Sequence, residues 1–295
     1  MPRDDLSFGA RFLRHAAERR GWEVTLHPDG AFAGEIRLPD GITRFFYRST
    51  YDINSAGATY VARDKSLTKF FLARRGYPVL PGHTRFSRDD VPELTYPVMV
   101  KANGEAAGAG IARVDTAEEL DAALDRAFAF GKIVLIEPYV ADLRDYRLLV
   151  LDGELLLAYE RIPYTITGDG HSTIRELTNG RDDIRLRGHA ASDVLREGEL
   201  LRVLDVANLS QGGSAREITP SAALAQLAID AARAMNLRFC GVDILTDDDD
   251  VHWILELNAS PTIHHFAALC QLSDERLSAI FERVLLAMVG AMVRT

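Results

Sequence analysis

Two stretches near the C-terminus carry side chains suited to a hard metal ion: Gly241-Val242-Asp243-Ile244-Leu245 and Leu255-Glu256-Leu257-Asn258-Ala259-Ser260-Pro261. Both read as strands, joined by the acidic turn Thr246 to Asp250. Two-residue alternation in the second puts Val251, Trp253, Leu255 and Leu257 on one face and His252, Ile254, Glu256 and Asn258 on the other. Glu256 and Asn258 then point the same way, and an antiparallel partner brings Asp243 beside them. Two carboxylates and an amide oxygen are hard ligands for Mg²⁺. That ion, held by one or two carboxylates, keeps its other positions for water and phosphate oxygens. The chemistry implied is nucleotide-dependent. Asp247 to Asp250 lacks the glycine and distal glutamate of a calcium loop and reads as a solvated turn.

A second candidate site lies in Lys101-Ala102-Asn103-Gly104-Glu105-Ala106-Ala107-Gly108-Ala109-Gly110-Ile111. Gly104, Gly108 and Gly110 let backbone N–H groups approach an anion, and Lys101 at a strand end adds positive charge. The sequence contains no GxxxxGK[ST], so a P-loop is excluded. The spacing G-x-x-x-G-x-G, followed by a strand, fits a dinucleotide fingerprint poorly.

These residues need elements to carry them. Residues 1–62 read as a small α/β lobe, with a helix through Phe12, Leu13 and Ala16 and strands around Trp22 to Leu26 and Arg44 to Tyr47. A helix from Asp64 to Arg75 is expected to turn Leu67, Phe70 and Phe71 inward and to stop at Gly76. Pro97 to Lys101 is a strand, and Thr116 to Glu119 reads as a capping box before the stripe Leu120, Ala123, Leu124 and Ala127. Ile133 to Glu137 is an aliphatic strand, and Asp152-Gly153 marks a hairpin. Residues 163–215 are polar and glycine-rich, Thr219-Pro220 opens a helix, and a final helix starts near Ser273. Its face of Leu277, Ile280, Phe281, Val284, Met288 and Met292 reads as a packing face that is also compatible with a homodimer contact.

At 295 residues, 47% hydrophobic and 26% charged, the chain can bury a sizeable core in two or three lobes. A net charge of -9 argues against nucleic acid as the main partner. Cys240 and Cys270 have neither zinc nor disulfide-framework spacing and read as buried free thiols. The first residues lack a signal-peptide pattern, and the longest apolar run, Val284 to Val293, is too short to span a bilayer. A cytoplasmic protein with no membrane partner is the expectation.

Six motifs in order resemble the ATP-grasp superfamily over roughly residues 45 to 268: Asp64 to Lys69, Val98 to Lys101 with its glycine loop, Ile136 to Val140, Asp145-Tyr146-Arg147, Gly241-Val242-Asp243 and Glu256-Leu257-Asn258. Gly168 to Leu177 and Ala207 to Gly213 look like the branch with cyanophycin synthetase, bifunctional glutathione synthetase and RimK-like ligases. The glycine loop departs from that pattern at Asn103, Glu105 and Ala106, and Ala141 to Arg144 is about one residue longer than the usual turn.

The resemblance implies an α/β (α+β) ATP-grasp fold. A small lobe (1–62) would precede one subdomain at 63–140 and a second at 141–295. Lys65, Lys101, Asn103, Gly104, Gly108 and Gly110 would meet ATP phosphates or the adenine edge. Glu137, Pro138, Tyr139 and Val140 would form the hinge that reads adenine, with Asp145 near the ribose. Arg147, Arg161 and Asn208 would face the phosphates or an acyl phosphate, and Asp243, Glu256 and Asn258 would hold two Mg²⁺ ions, with Mn²⁺ a possible substitute.

The implied reaction is ADP-forming ligation, in which an amino-acid or small-peptide carboxylate becomes an acyl phosphate and an amine displaces the phosphate. A nucleotide-binding regulatory module and a small-molecule kinase are the alternatives. The short N-terminal lobe favours a stand-alone, single-step ligase over a complete cyanophycin synthetase. Two further features stay open at this level. His264 and His265 read either as a structural pair or as substrate contacts. Arg181, Arg185, Arg187 and His189 read either as a carboxylate-binding run or as a solvated face.

Overall fold

A computed structural model describes residues 8–28, 32–103 and 110–290. Helix α1 (Phe8–Glu18) buries Phe12, Leu13, Ala16 and Ala17 at helical spacing. Strands β1 (Glu23–Leu26), β2 (Ala33–Arg37), β3 (Thr43–Tyr47) and β4 (Thr50–Tyr51) follow as an antiparallel sheet in chain order. Next come α2 (Ala56–Arg63), capped by Ser55, and α3 (Lys65–Arg74), whose N-cap Asp64 accepts the Leu67 N–H at 2.9 Å.

Strands β5 (His83–Arg85), β6 (Val98–Ala102), β7 (Ile111–Val114) and, after α4 (Ala117–Phe130), β8 (Val134–Pro138) build a sheet ordered β5-β8-β6-β7. Its core packs Val98, Val100, Val114 and Ile136 against Ala123, Leu124 and Ala127 of α4, the stripe read from the sequence.

The central sheet is assembled from β9 (Arg144–Leu151), β10 (Glu154–Ile162), β13 (Ser214–Glu217), β14 (Phe239–Thr246) and β15 (His252–Asn258), in the order β13-β10-β9-β14-β15. Asp152 and Gly153, both at positive φ (49° and 80°), turn β9 into β10 as a tight hairpin. Between β10 and β13 the chain inserts β11 (Thr165–Thr167), α5 (Ile174–Leu177) and β12 (Leu200–Arg202), which share a small core of Ile166, Ile174, Leu195, Leu201 and Val203. Helix α6 (Ala222–Ala234) precedes β14; α7 (His264–Leu269) and α8 (Asp274–Met288) follow β15.

Alternation gives the central sheet two different faces. Leu148, Val150, Val242, Ile244, Ile254 and Leu257 pack against Leu224, Ala228 and Ala231 of α6 and against Ala62 and Leu72. Leu149, Leu151, Leu157 and Tyr159 on the opposite face join Leu13, Ile36, Phe46, Phe266 and Val284 in one core. The N-terminal sheet and α8 therefore share a core with the central sheet. The apolar face of α8 is spent inside the chain, with Val284 and Leu285 fully buried. Asn54 pins the start of β14, accepting the N–H groups of Arg238 and Phe239 at 2.8 and 3.0 Å.

Several local expectations are corrected. In α3 the inward residues are Thr68 and Leu72, while Leu67 and Phe70 are exposed, because the helix presents its lysine face to the cleft. Thr116 begins α4 without a side-chain cap bond; the Asp115 N–H is taken instead by Glu119, at 2.9 Å. The N-cap of α6 is Ser221, one residue after Pro220. Cys240 is buried as expected, whereas Cys270 is only partly buried, its thiol directed to the Ala215 carbonyl at 3.4 Å.

Candidate active site

The site begins with register. Asp243 on β14 stands opposite Arg147 on β9 and Glu256 on β15, Gly241 opposite Asn258, and Asp145 opposite Arg161 on β10. Since alternate residues of a strand share a face, Arg161, Asp145, Arg147, Asp243, Glu256 and Asn258 line up across four strands on one side of the sheet. A β-bulge at Leu255 makes this possible: Ile254 pairs with Ile244 and Glu256 with Asp243, leaving Leu255 as the extra residue. Strict alternation had put Ile254 on the face of Glu256; the bulge sends Ile254 into the core and turns Leu255, Glu256 and Asn258 toward the cleft.

Asp243 is fully buried. Arg147 donates from Nε and Nη2 to its two oxygens, at 2.6 Å each, and Arg161 Nη2 lies 2.8 Å from Oδ2. Burial by itself would raise this carboxyl, but the two guanidiniums outweigh it and hold Asp243 down at about 2. Asp145 is also buried and paired with Arg161 at 2.6 Å; burial and the neighbouring Asp243 charge keep its carboxyl above the usual range despite Arg161. Asp145 thus belongs to the carboxylate–arginine cluster while still lining the cleft.

Glu256 is half-buried, close enough to Asp243 for their side chains to interact, and is met by Lys65 at 3.3 Å and Arg147 at 3.9 Å. Two abutting carboxylates with the Asn258 oxygen beside them fit a divalent cation. Here basic side chains neutralise them. Asn258 Oδ1 also accepts the Ser260 N–H at 2.9 Å, which orients it and leaves a second lone pair.

The other end of the cleft is organised by Glu137, whose side chain is 1% exposed. It pairs with Lys101 at 2.5 Å and with Lys69. Burial would raise the Glu137 carboxyl, yet the two ammonium groups hold it below the ordinary value, while burial lowers Lys69 more than Glu137 restores it. Gly82 permits this packing, because a Cβ there would come within 2.9 Å of the Glu137 Cγ and the Ile136 carbonyl. The Tyr139 N–H donates to the Pro97 carbonyl at 3.0 Å, so it is already engaged within the sheet.

Between the two ends runs a cleft of about 380 Å³, within the range of about 300 to 1,000 Å³ usual for small-molecule sites. Lys65, Lys101, Glu137, Pro138, Tyr139, Val140, Asp145, Arg147, Arg161, Asn208, Glu256 and Asn258 line it; Asp243 lies just beneath, under the arginines. Leu80, Met99, Ile111, Leu143, Leu245 and Leu255 add an apolar wall suited to a planar base. Asn103 and Gly110 are not on this wall: Asn103 Oδ1 accepts the Ser66 N–H at 3.3 Å, and Gly110 closes onto Ala102. Gly104 and Gly108 lie outside the described residues.

Sequence reasoning missed Lys69, Arg202 and Asp205. Lys69 was legible as the residue four positions after Lys65, on the same helical face. Asp205 carried no local signal. His264 and His265 both line the cleft, ring to ring at 3.9 Å, and Phe266 stacks on Tyr159 at 4.0 Å.

The arrangement can bind a polyanion and a divalent cation at one end and a planar base at the other. A family model described as "RimK-like ATP-grasp domain" matches residues 193–274, and one described as "D-ala D-ala ligase C-terminus" matches 77–167. The chain is 29% identical over 244 residues to the glutathione biosynthesis bifunctional protein GshAB of Streptococcus mutans, covering 68% of this chain and 32% of that protein. It is 32% identical over 243 residues to cyanophycin synthetase of Geminocystis herdmanii, covering 68% and 28%. It thus spans about a third of the length of these relatives.

Among solved structures, a bifunctional glutathione synthetase from Pasteurella multocida superposes with a TM-score of 0.62 at 21% identity, covering 96% of this chain and 44% of that one. A D-alanine–D-alanine ligase from Bacillus anthracis gives 0.55 at 15%, covering 81% and 69%. Fold, family models and relatives agree that the chain belongs to the ATP-grasp superfamily.

Proposed function

We propose that this protein is an ATP-dependent, ADP-forming ligase that joins an amino-acid or small-peptide carboxylate to an amine. The observation that carries the reading is the single cleft with the Lys69–Glu137–Lys101 cluster at one end and Asp243, Glu256 and Asn258 under two arginines at the other. Residues 63–140 and 141–295 would be the two closing lobes and 1–62 a preceding one. Asp243, Glu256 and Asn258 would hold Mg²⁺, or Mn²⁺ in its place. The ion's contribution is to offset charge on the transferring phosphoryl oxygens.

The reaction needs activation because a carboxylate is anionic and resonance-stabilised, hence a poor electrophile. A carboxylate oxygen attacks the γ-phosphorus of ATP and ADP leaves, giving an acyl phosphate. The amine nitrogen then bonds to the carbonyl carbon, phosphate leaves and the nitrogen loses a proton. Lys65, Lys69 and Lys101 would orient the phosphate chain, with Lys69 and Lys101 steadied by Glu137. Arg147 and Arg161 would turn from the carboxylates to phosphoryl oxygens once the cation takes over the neutralisation. Asn208, which would face the acyl group, lines the cleft from a tight turn: the Gly213 N–H donates to its carbonyl at 3.0 Å, and a Cβ on Gly213 would lie 2.8 Å from that oxygen.

The test is to incubate purified protein with Mg-ATP and a panel of amino acids and amines. ADP and phosphate release with a product lighter than its parts by one water supports ligation; added phosphate mass would indicate a kinase, and no turnover on any pair would sink both. No described helix is long and apolar enough to cross a membrane. Dependence on ATP supports a cytoplasmic site of action. A homodimer, if formed, would use a surface other than the buried face of α8.

A further inference from the structure

The basic run Arg181 to His189 has no place in the reaction just described, yet most of its side chains are tied to carboxylates. Arg185 and Arg187 lie in the insertion, between α5 and β12, and both reach Asp205, at 2.8 and 2.6 Å. Asp205 lines the cleft with its side chain 7% exposed, and the next residues, Val206 to Leu209, line it too and include Asn208.

Arg185 also crosses to the other lobe. Its Nη1 lies 2.6 Å from Asp115, just past β7, and its Nη2 donates to the Arg113 carbonyl at 2.8 Å. Arg113 in turn pairs with Asp115 at 2.6 Å, stands 3.7 Å from Asp205, and lays its guanidinium 4.0 Å from the ring centre of Tyr139 in the hinge. Three nitrogens of one guanidinium thus reach three acceptors, a task for a planar fork that a lysine ammonium cannot repeat. Isolated pairs of this exposure add little stability. A network spanning two lobes does something else, since it fixes how they sit together.

We propose that Arg113, Asp115, Arg185 and Asp205 are positioning residues that clamp the insertion onto the nucleotide-binding lobe, so that a base seated beside Tyr139 tightens the segment carrying Asn208. The proposal rests on the ligase reading, because it takes the hinge as the base site. Its chemical use is to keep water from the acyl phosphate, where attack on the carbonyl carbon would release phosphate, restore the carboxylate and waste one ATP.

The test is amide hydrogen exchange over residues 163–213, with and without Mg-ATP, alongside thermal shifts. In the wild type, Mg-ATP should slow exchange of the insertion about fivefold or more, the lower end of ordinary coupling between sites. Arg185→Ala should keep the nucleotide-induced thermal shift but lose that protection. Arg185→Lys should resemble Arg185→Ala, because charge without the fork cannot span the acceptors. Asp115→Asn, which leaves the Arg185–Asp205 pair inside the insertion, covers the case in which Arg185→Ala fails to fold. Equal protection in wild type and in Asp115→Asn would overturn the clamp. A wild-type thermal shift without added protection would overturn the clamp alone, and no thermal shift in the wild type would overturn both the clamp and the ligase reading.

Discussion

Arg147 and Asp243 face each other in register on adjacent strands and share two hydrogen bonds of 2.6 Å, one to each carboxylate oxygen. Asp243, one of the carboxylates proposed to hold a metal ion, is therefore already neutralised by a guanidinium. A buried charge without a partner is costly, so this pairing lets Asp243 stay ionised in the core of the sheet. In the proposed ligase a divalent ion would have to relieve Asp243 of its arginines before those arginines became available to phosphate.

Arg147→Met should destabilise the fold by about 3 kcal/mol, because it leaves Asp243 buried with Arg161 as its remaining strong partner. Urea denaturation reads this directly. Added Mg²⁺ should raise the melting temperature of the variant more than that of the wild type, since the ion restores the missing positive charge. An equal Mg²⁺ response in both would place the ion elsewhere.

Glu256→Gln should leave stability within about 1 kcal/mol, since the Lys65 and Arg147 contacts of this half-buried residue are long. Turnover should fall by about a hundredfold or more with the loss of one metal carboxylate. Steady-state ADP release checks it, and a variant with full activity would remove Glu256 from the metal site.

Lys69 bears on nucleotide affinity through pH. Burial lowers its pKa, only partly offset by Glu137, so the ammonium deprotonates below the usual lysine range. ATP affinity, measured by calorimetry, should decline as pH rises through that lowered value. The decline should be absent in Lys69→Met and move to higher pH in Lys69→Arg. For stability the sign is opposite: between the folded and unfolded values the unfolded chain binds more protons, so this residue makes the fold more stable as pH rises.

Acid should act through two carboxyls of opposite sign. Asp243, held at about 2, contributes about 2 kcal/mol that is fully present above pH about 4 and is lost as pH falls through its folded value. Asp145, raised by burial, contributes below the ordinary carboxylate value and loses that contribution as pH rises through its folded one. Carboxyl-carbon NMR titration should find Asp243 still ionised at pH 3 and Asp145 protonating above the usual range; the reverse order would contradict the pairing described.

Much of the framework was legible because local rules govern it. The Asp152-Gly153 hairpin and the α4 stripe follow from turn chemistry and helical spacing. The inward face of α3 was misread, since Phe70 and Leu67 have the hydrophobicity of core residues but sit on the side away from the sheet. The roles of Arg185 and Arg187 were likewise opaque, because their partners Asp115 and Asp205 lie eighteen or more residues away in sequence.

The residue types at 243, 256 and 258, the lysines at 65 and 101 and the order of the motifs were settled by the sequence alone, since ligand chemistry is a property of side chains and motif order a property of the chain. Only the tertiary structure decided which carboxylate is buried, which cations neutralise it and that Asp145 joins the cluster. Those depend on strand pairing across about a hundred residues and on one bulge at Leu255, which shifts the alternation by a residue. Local preference leaves such a shift open. The packing of β15 against its neighbours does not.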